Sequence, residues 1–255
     1  MQNEFSQKLK NGQCVFGTMV RLISDPGIAN LLANAGFDFM FIDMEHSVFS
    51  LETVSAIIRT ARSCGIEAIV RPPGLAMPYI SRLLDAGANG LMIPMTETKE
   101  QAEAIRDACY YSPIGKRGCA GLLGQTDYRE MDPQEILTYA NERITIIAQV
   151  ESVTGVENIE SIVSTEGIKA VIIGPYDLSN SLGMIGRIAD PAVTAQIEKV
   201  VQACRKYRKV SGIHTGNLEQ LKYWKERGMQ LLALQTDVNA LHDAYKQYMR
   251  DLKSL

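Results

Sequence analysis

The stretch FIDMEHS (41–47) runs from apolar residues straight into Asp43, Glu45 and His46. Other short apolar runs close in the same way: VFGTMV (15–20) on Arg21, AIVR (68–71) on Arg71, IIAQVE (146–151) on Gln149 and Glu151, and AVIIG (170–174) on Gly174, Pro175 and then Asp177. SGIH (211–214) ends on His214 and Thr215, and LLALQ (231–235) on Gln235 and then Asp237. Two carboxylates on neighbouring strand ends, Glu151 and Asp177, repel unless a proton or a cation lies between them. With only oxygen donors, that cation is a hard divalent ion such as Mg²⁺ or Mn²⁺. The alternative is that each acid sits in the first turn of a helix and complements its dipole. His46 beside acids suits a base that titrates near neutrality. Arg71 is either a rim ion pair or a fixed cation for a developing oxyanion. No strand end carries the lysine that a Schiff-base enzyme requires, and Lys169 precedes its strand.

These residues need elements to position them. Eight apolar runs recur, the remaining ones being FMFID (39–43) and LMIPM (91–95), and each is followed by a turn and a helical pattern. Helical periodicity is clearest over 50–65, 98–111, 153–167 and 190–209. Ser50 with Thr53, and Thr98 with Gln101 as a capping box, mark helix starts. Gly36, Gly65, Gly167 and Gly228 mark stops. Strand–helix alternation implies a parallel sheet, and eight units imply closure into a (β/α)8 TIM barrel in one domain spanning residues 1–255. An open doubly wound sheet is the competitor, but it carries fewer strands and a glycine-rich nucleotide turn, and neither GxGxxG nor a P-loop is present. In a barrel the site forms at the C-terminal strand ends. The opposite rim holds Asp38, Glu67 and Lys169, expected as a solvated set without focus. The long segment 96–145 contains GKRGCAGLLGQ, and loops of that length are usually functional.

Composition narrows the class. Of 255 residues, 46% are hydrophobic and 22% charged, the profile of a globular chain. A net charge of −3 argues against a nucleic-acid partner. No apolar run reaches the length that spans a bilayer. The opening MQNEFSQKLKNGQ lacks a secretory apolar region, and five scattered cysteines form no pairing or metal spacing. Cytoplasmic location is the expectation.

FIDMEHS, VRPP, RLLDAGANGLMIPM, GKRG, AQVES and IIGPYDLSNSLG together resemble signature segments of the metal-dependent class II pyruvate aldolases, the 4-hydroxy-2-oxoheptanedioate and 2-dehydro-3-deoxyglucarate aldolase type, over about Gly17 to Asp237. The resemblance implies reversible aldol cleavage of a 4-hydroxy-2-oxo acid to pyruvate and an aldehyde, and no organic cofactor. It assigns Glu151 and Asp177 to a divalent metal (Mg²⁺ or Mn²⁺, with Co²⁺ as a further option), His46 to the base and Arg71 to enolate stabilisation. Gln149, Gly174, Pro175, Tyr176 and Asp177 would line the pyruvate site, with Asp43 and Glu45 orienting His46 or metal-bound waters. Asp85 would support the histidine, although it ends a helix near the opposite rim and would need a short helix or another subunit to reach it. Relatives are typically homo-oligomers, trimers or hexamers, that exchange the last helix, and the amphipathic 239–255 segment suits that. The resemblance leaves two other readings, a citrate-lyase-like acyl-CoA lyase and a catalytically silent barrel serving assembly. This chain departs from relatives in having no arginine between Arg117 and Arg129, and in Met19, Arg21, His214 and Thr215. The aldehyde stays open among glycolaldehyde, lactaldehyde, tartronate semialdehyde and succinic semialdehyde.

Overall fold

The computed structural model describes residues 4–75 and 77–255. The strands are β1 (Val15–Val20), β2 (Phe39–Asp43), β3 (Glu67–Arg71), β4 (Gly90–Ile93), β5 (Thr145–Val150), β6 (Ile168–Ile173), β7 (Val210–Thr215) and β8 (Leu231–Thr236), all parallel and closed in sequence order. The helices are α1 (Glu4–Lys10), α2 (Gly27–Asn34), α3 (Leu51–Cys64), α4 (Met77–Asp85), α5 (Lys99–Cys109), α6 (Pro133–Arg143), α7 (Val153–Glu157), α8 (Ile159–Ser164), α9 (Pro175–Ser181), α10 (Pro191–Lys206), α11 (Leu218–Glu226) and α12 (Asp237–Lys253). The expected (β/α)8 barrel is therefore present. Ser50 caps α3, and Thr98 with Gln101 forms the capping box of α5. Gly36, Gly65, Gly167 and Gly228 all take positive φ where a helix or its following turn ends. The pattern over 153–167 is two helices rather than one. Asn158 leaves helical geometry between them and donates its side-chain amide to the Glu97 carbonyl at 2.9 Å.

Successive strand residues point to opposite faces, and the two apolar clusters separate on that period. Val15, Met19, Phe39, Phe41, Ile69, Met92, Ile147, Ile172, Leu231 and Ala233 fill the barrel. Their strand neighbours Val20, Met40, Ile42, Val70, Leu91, Ala148, Val171 and Leu232 pack outward against the helices. Gly17 makes room for the interior layer, since a Cβ there would lie 2.4 Å from the Phe39 ring. Helix α1 closes the floor by placing Phe5 edge-on to Phe39, with ring centres 5.7 Å apart.

The expectation for the lower rim changes. Glu67 is buried and Lys169 half-buried, so the lower rim is not a solvated set. Asp38 pairs with Lys8 at 2.6 Å and accepts the Phe16 amide at 2.7 Å. The long loop follows α5 and so leaves from the floor end; Arg62, in the last turn of α3, binds its Asp127 at 2.8 Å. No helix among the described residues is long and apolar enough to cross a membrane.

Asp237 closes the barrel at the β8 exit. Its carboxylate accepts the amides of Arg21, Leu22 and Ile23 at 3.0, 2.9 and 2.8 Å, and so ties the turn after β1 to the start of α12. Asp237→Ala removes the acceptor of three partly buried amides and should cost about 1–2 kcal/mol, seen as a Tm fall of roughly 2–8 °C in thermal melts.

Candidate active site

The two-residue period that fills the barrel, continued to the strand exits, selects the site. Met19 leads to Arg21, Phe41 to Asp43, Ile69 to Arg71, Ile147 to Gln149 and Glu151, Ile172 to Gly174, and Ala233 to Gln235; His214 falls on the same face of β7. The topmost interior layer is thus almost wholly polar, and it is the layer that faces the mouth.

Arg71 is its anchor. The guanidinium forms a two-point pair with Asp43, Nε to Oδ1 at 2.9 Å and Nη2 to Oδ2 at 2.8 Å, and its Nη1 lies 3.1 Å from Glu45 Oε2. Asp43 is fully buried and also accepts the Glu45 and His46 amides at 3.0 and 3.3 Å. Burial alone would raise this carboxyl, but the Arg71 charge and the two amides hold it below its usual range. Glu45 then reaches His46, Oε2 to Nε2 at 3.7 Å, on a ring that is largely open to solvent. Asp43, Arg71, Glu45 and His46 form one continuous chain from the interior to the lip.

Across the barrel, Glu151 is 4% exposed and accepts the Met95 amide at 3.0 Å and the Gln149 side-chain amide at 2.5 Å. Burial, reinforced by the Asp177 and Glu45 charges, pushes its carboxyl up to about 7. Asp177 is exposed in the first turn of α9. Gly174 is the cradle: a Cβ there would lie 2.4 Å from Glu151 Oε2 and 3.3 Å from Gln149 Nε2. The Gln149 Oε1 atom is buried and unpartnered among the described residues. A buried acid raised by a neighbouring acid, an orphaned oxygen and a space that only glycine leaves open fit a hard cation. No cluster of three His, Cys, Asp or Glu ligands is present among the described residues.

Three placements differ from the sequence reading. Asp85 does not meet His46 within the chain: it ends α4, pointing toward the floor end, and pairs there with Arg117. Arg117 lies over Tyr111 and donates to Gln125 at 3.0 Å, so the loop is packed there rather than over the mouth. The sequence marks Met95 only as the end of a strand run, yet its amide grips Glu151 from a turn at φ 51°. A main-chain donor leaves no side-chain signature in sequence. His214 Nε2 donates to the Gln235 carbonyl at 2.9 Å, and burial with the Arg71 and Arg21 charges pushes its imidazole below its usual range.

The family model described as HpcH/HpaI aldolase/citrate lyase matches residues 21–244. The chain belongs to that family. It is 32% identical over 253 residues to a hydroxypyruvate/pyruvate aldolase of Pseudomonas aeruginosa, covering 99% of this chain and 91% of the relative. It is 33% identical to a 4-hydroxy-2-oxo-heptane-1,7-dioate aldolase of Escherichia coli, covering 94% and 91%. The crystal structure of an HpcH/HpaI aldolase from Desulfitobacterium hafniense superposes with a TM-score of 0.95 at 35% identity, covering 98% of this chain and 96% of that one. The molecule is therefore a carbon–carbon lyase of the aldolase type.

The aldolase's Asp43–Arg71 pair should be measurable as stability. Asp43→Asn leaves a buried guanidinium short of its counter-charge and should cost about 3–5 kcal/mol at pH 7. Because folding depresses the Asp43 pKa, the contribution is complete above the unfolded value of about 3.9 and is lost as pH falls below it. Thermal melts at pH 7 and pH 3 should therefore show a smaller acid loss in Asp43→Asn than in the wild type.

Proposed function

We propose that this aldolase catalyses metal-dependent, reversible cleavage of a 4-hydroxy-2-oxo acid to pyruvate and an aldehyde. The observation that carries it is the top interior layer, where the Glu151–Asp177 acid pair faces an Arg71 guanidinium locked by Asp43 and Glu45. Glu151 and Asp177 would hold Mg²⁺, Mn²⁺ or Co²⁺, which when bound supplies Lewis acidity to the 2-oxo and carboxylate oxygens of the substrate. Arg71 is prevented from turning away by its two-point pair, so its charge is preorganised for the enolate oxygen as the C3–C4 bond breaks. Gln149 Oε1, Gly174, Pro175, Tyr176 and Asp177 line the pyruvate end. His46, at the lip, takes the 4-hydroxyl proton and exchanges it with solvent, while Glu45 orients its ring.

Asp85 is proposed to act on the mouth of a neighbouring subunit, because Arg117 holds it away from His46 in its own chain. A homo-oligomer also suits α12, which leaves Tyr245, Tyr248, Met249 and Leu252 exposed along its length. No organic cofactor is needed, and a cytoplasmic location fits this substrate class.

The acceptor side carries its own signal. Arg21, the residue that follows β1, makes no ion pair among the described residues and acts on His214. An unpaired guanidinium across the barrel from β5 and β6 suits an aldehyde that ends in a carboxylate.

Two experiments test this reading. Pyruvate methyl-proton exchange with D₂O should vanish in excess chelator and return with Mg²⁺, Mn²⁺ or Co²⁺, and Arg71→Ala should lower it about 10²–10³-fold while metal affinity is retained. Exchange that persists in chelator sinks the metal role. For the acceptor, Arg21→Ala should lower kcat/KM for succinic semialdehyde about 10–100-fold and for butanal by little. An equal loss on both would remove Arg21 from acceptor recognition.

A further inference from the structure

The floor of the barrel carries a second, oppositely charged centre. A cavity of about 570 Å³ lies there, bounded by α1, the last turn of α6, the lower ends of β5, β6 and β7, and the C-terminal turns of α10. Lys10, Lys169, Arg205, Arg208 and Lys209 line it, against Glu142 as the acid in its wall. None of these five cations forms an ion pair among the described residues.

The two lysines that are not exposed set the geometry. Lys169 donates to the carbonyls of Glu142 and Ile144 at 2.8 and 2.5 Å, and Lys209 to the carbonyl of Ile168 at 2.7 Å. An ammonium has three donors, so one on Lys169 and two on Lys209 are left without an acceptor among the described residues. Burial, with the charge of Lys10, pushes Lys169 down to about 8, and burial also lowers Lys209 while Glu166 opposes it. Capping the end of α6 explains the position of Lys169. It does not explain why four more cations converge on one cavity with so little opposing charge.

We infer that this floor cavity is a binding site for a small phosphate ester, remote from the catalytic mouth. A phosphate monoester brings nearly two negative charges and three acceptor oxygens at pH 7, which matches the spare donors of Lys169 and Lys209 and the charges of Lys10, Arg205 and Arg208. The cavity exceeds the size of the ion itself, and Leu9, Val201 and Val210 supply an apolar wall for the organic part of the ester.

Inorganic phosphate is the probe, titrated calorimetrically into the metal-loaded enzyme at constant ionic strength held with chloride. Wild type should bind one phosphate per chain with a Kd of millimolar or tighter, and the Tm should rise by several degrees at tenfold excess over Kd. Lys169→Gln and Lys10→Glu should each weaken binding at least tenfold. Lys10 is exposed on α1, so its variant keeps the fold if the cap made by Lys169 proves indispensable. Pyruvate proton exchange should be unchanged in Lys10→Glu. A Tm rise no greater than that given by chloride overturns the site. So does phosphate binding that survives both substitutions, because the ion would then sit elsewhere, the metal centre included.

Discussion

Everything at the mouth follows from one constraint: a two-residue period carried through eight parallel strands whose lower interior layers are already full. Phe39, Phe41, Met19, Ile69 and Met92 pack the barrel from wall to wall, so nothing beyond them needs to be apolar. The next position on the same face of each strand is raised above the packed core and opens on the mouth. Polar residues belong there because they can keep water or a ligand on one side. The barrel thus supplies a ring of directed side chains before any of them is given a task.

The ring is not electrically at rest. Arg71 is satisfied by Asp43 and Glu45, and that satisfaction immobilises it. A guanidinium held at two points has little freedom to turn, so its charge is fixed in place at the mouth. Glu151 faces the opposite problem. Two amides stabilise it, yet burial and the nearby Asp177 leave its carboxyl up at about 7. A cation between the acids relieves that conflict more fully than a proton, because it serves both carboxylates at once. Gly174 makes the arrangement sterically possible, since any side chain at that position would collide with Glu151.

The barrel itself was legible because its signals are local. Each strand is a short apolar run with a polar exit, and the capping residues Ser50 and Thr98 act within three residues of themselves. Arg71, Glu151 and Asp177 were legible as strand-exit residues for the same reason. Other features depend on distant partners. Met95 acts through its main chain, and Asp237 looks like an ordinary strand-exit acid until the β1 turn folds onto it. Helix α1 carries too few apolar residues to announce itself, yet Phe5 plugs the floor. The order of strands and helices puts Asp85 at a helix end near the rim opposite the site, but its partner Arg117 lies in a loop without periodicity. The lower rim looked featureless because only Lys169 of its cationic residues immediately adjoins a strand run; the others gather from α1, α10 and the turn before β7.

The net charge of −3 conceals a separation of charge along the barrel axis. Asp43, Glu45, Glu151 and Asp177 gather at the mouth, while Lys10, Lys169, Arg205, Arg208 and Lys209 gather at the floor. A six-residue strand such as β5 spans roughly 20 Å, more than twice the Debye length of about 8 Å at physiological salt. Through solvent, then, neither end can neutralise the other, and each must balance its charge locally. At the mouth Arg71 performs part of that work and leaves the Glu151–Asp177 acid pair without a cationic partner of its own among the described residues. At the floor the backbone carbonyls of Glu142, Ile144 and Ile168 accept from the lysines but bring no opposing charge. Helix packing does not require such a concentration of like charge, and burial, with the charge of Lys10, lowers the affinity of Lys169 for its proton. The same electrostatic logic that makes the mouth a place for a cation makes the floor a place for an anion.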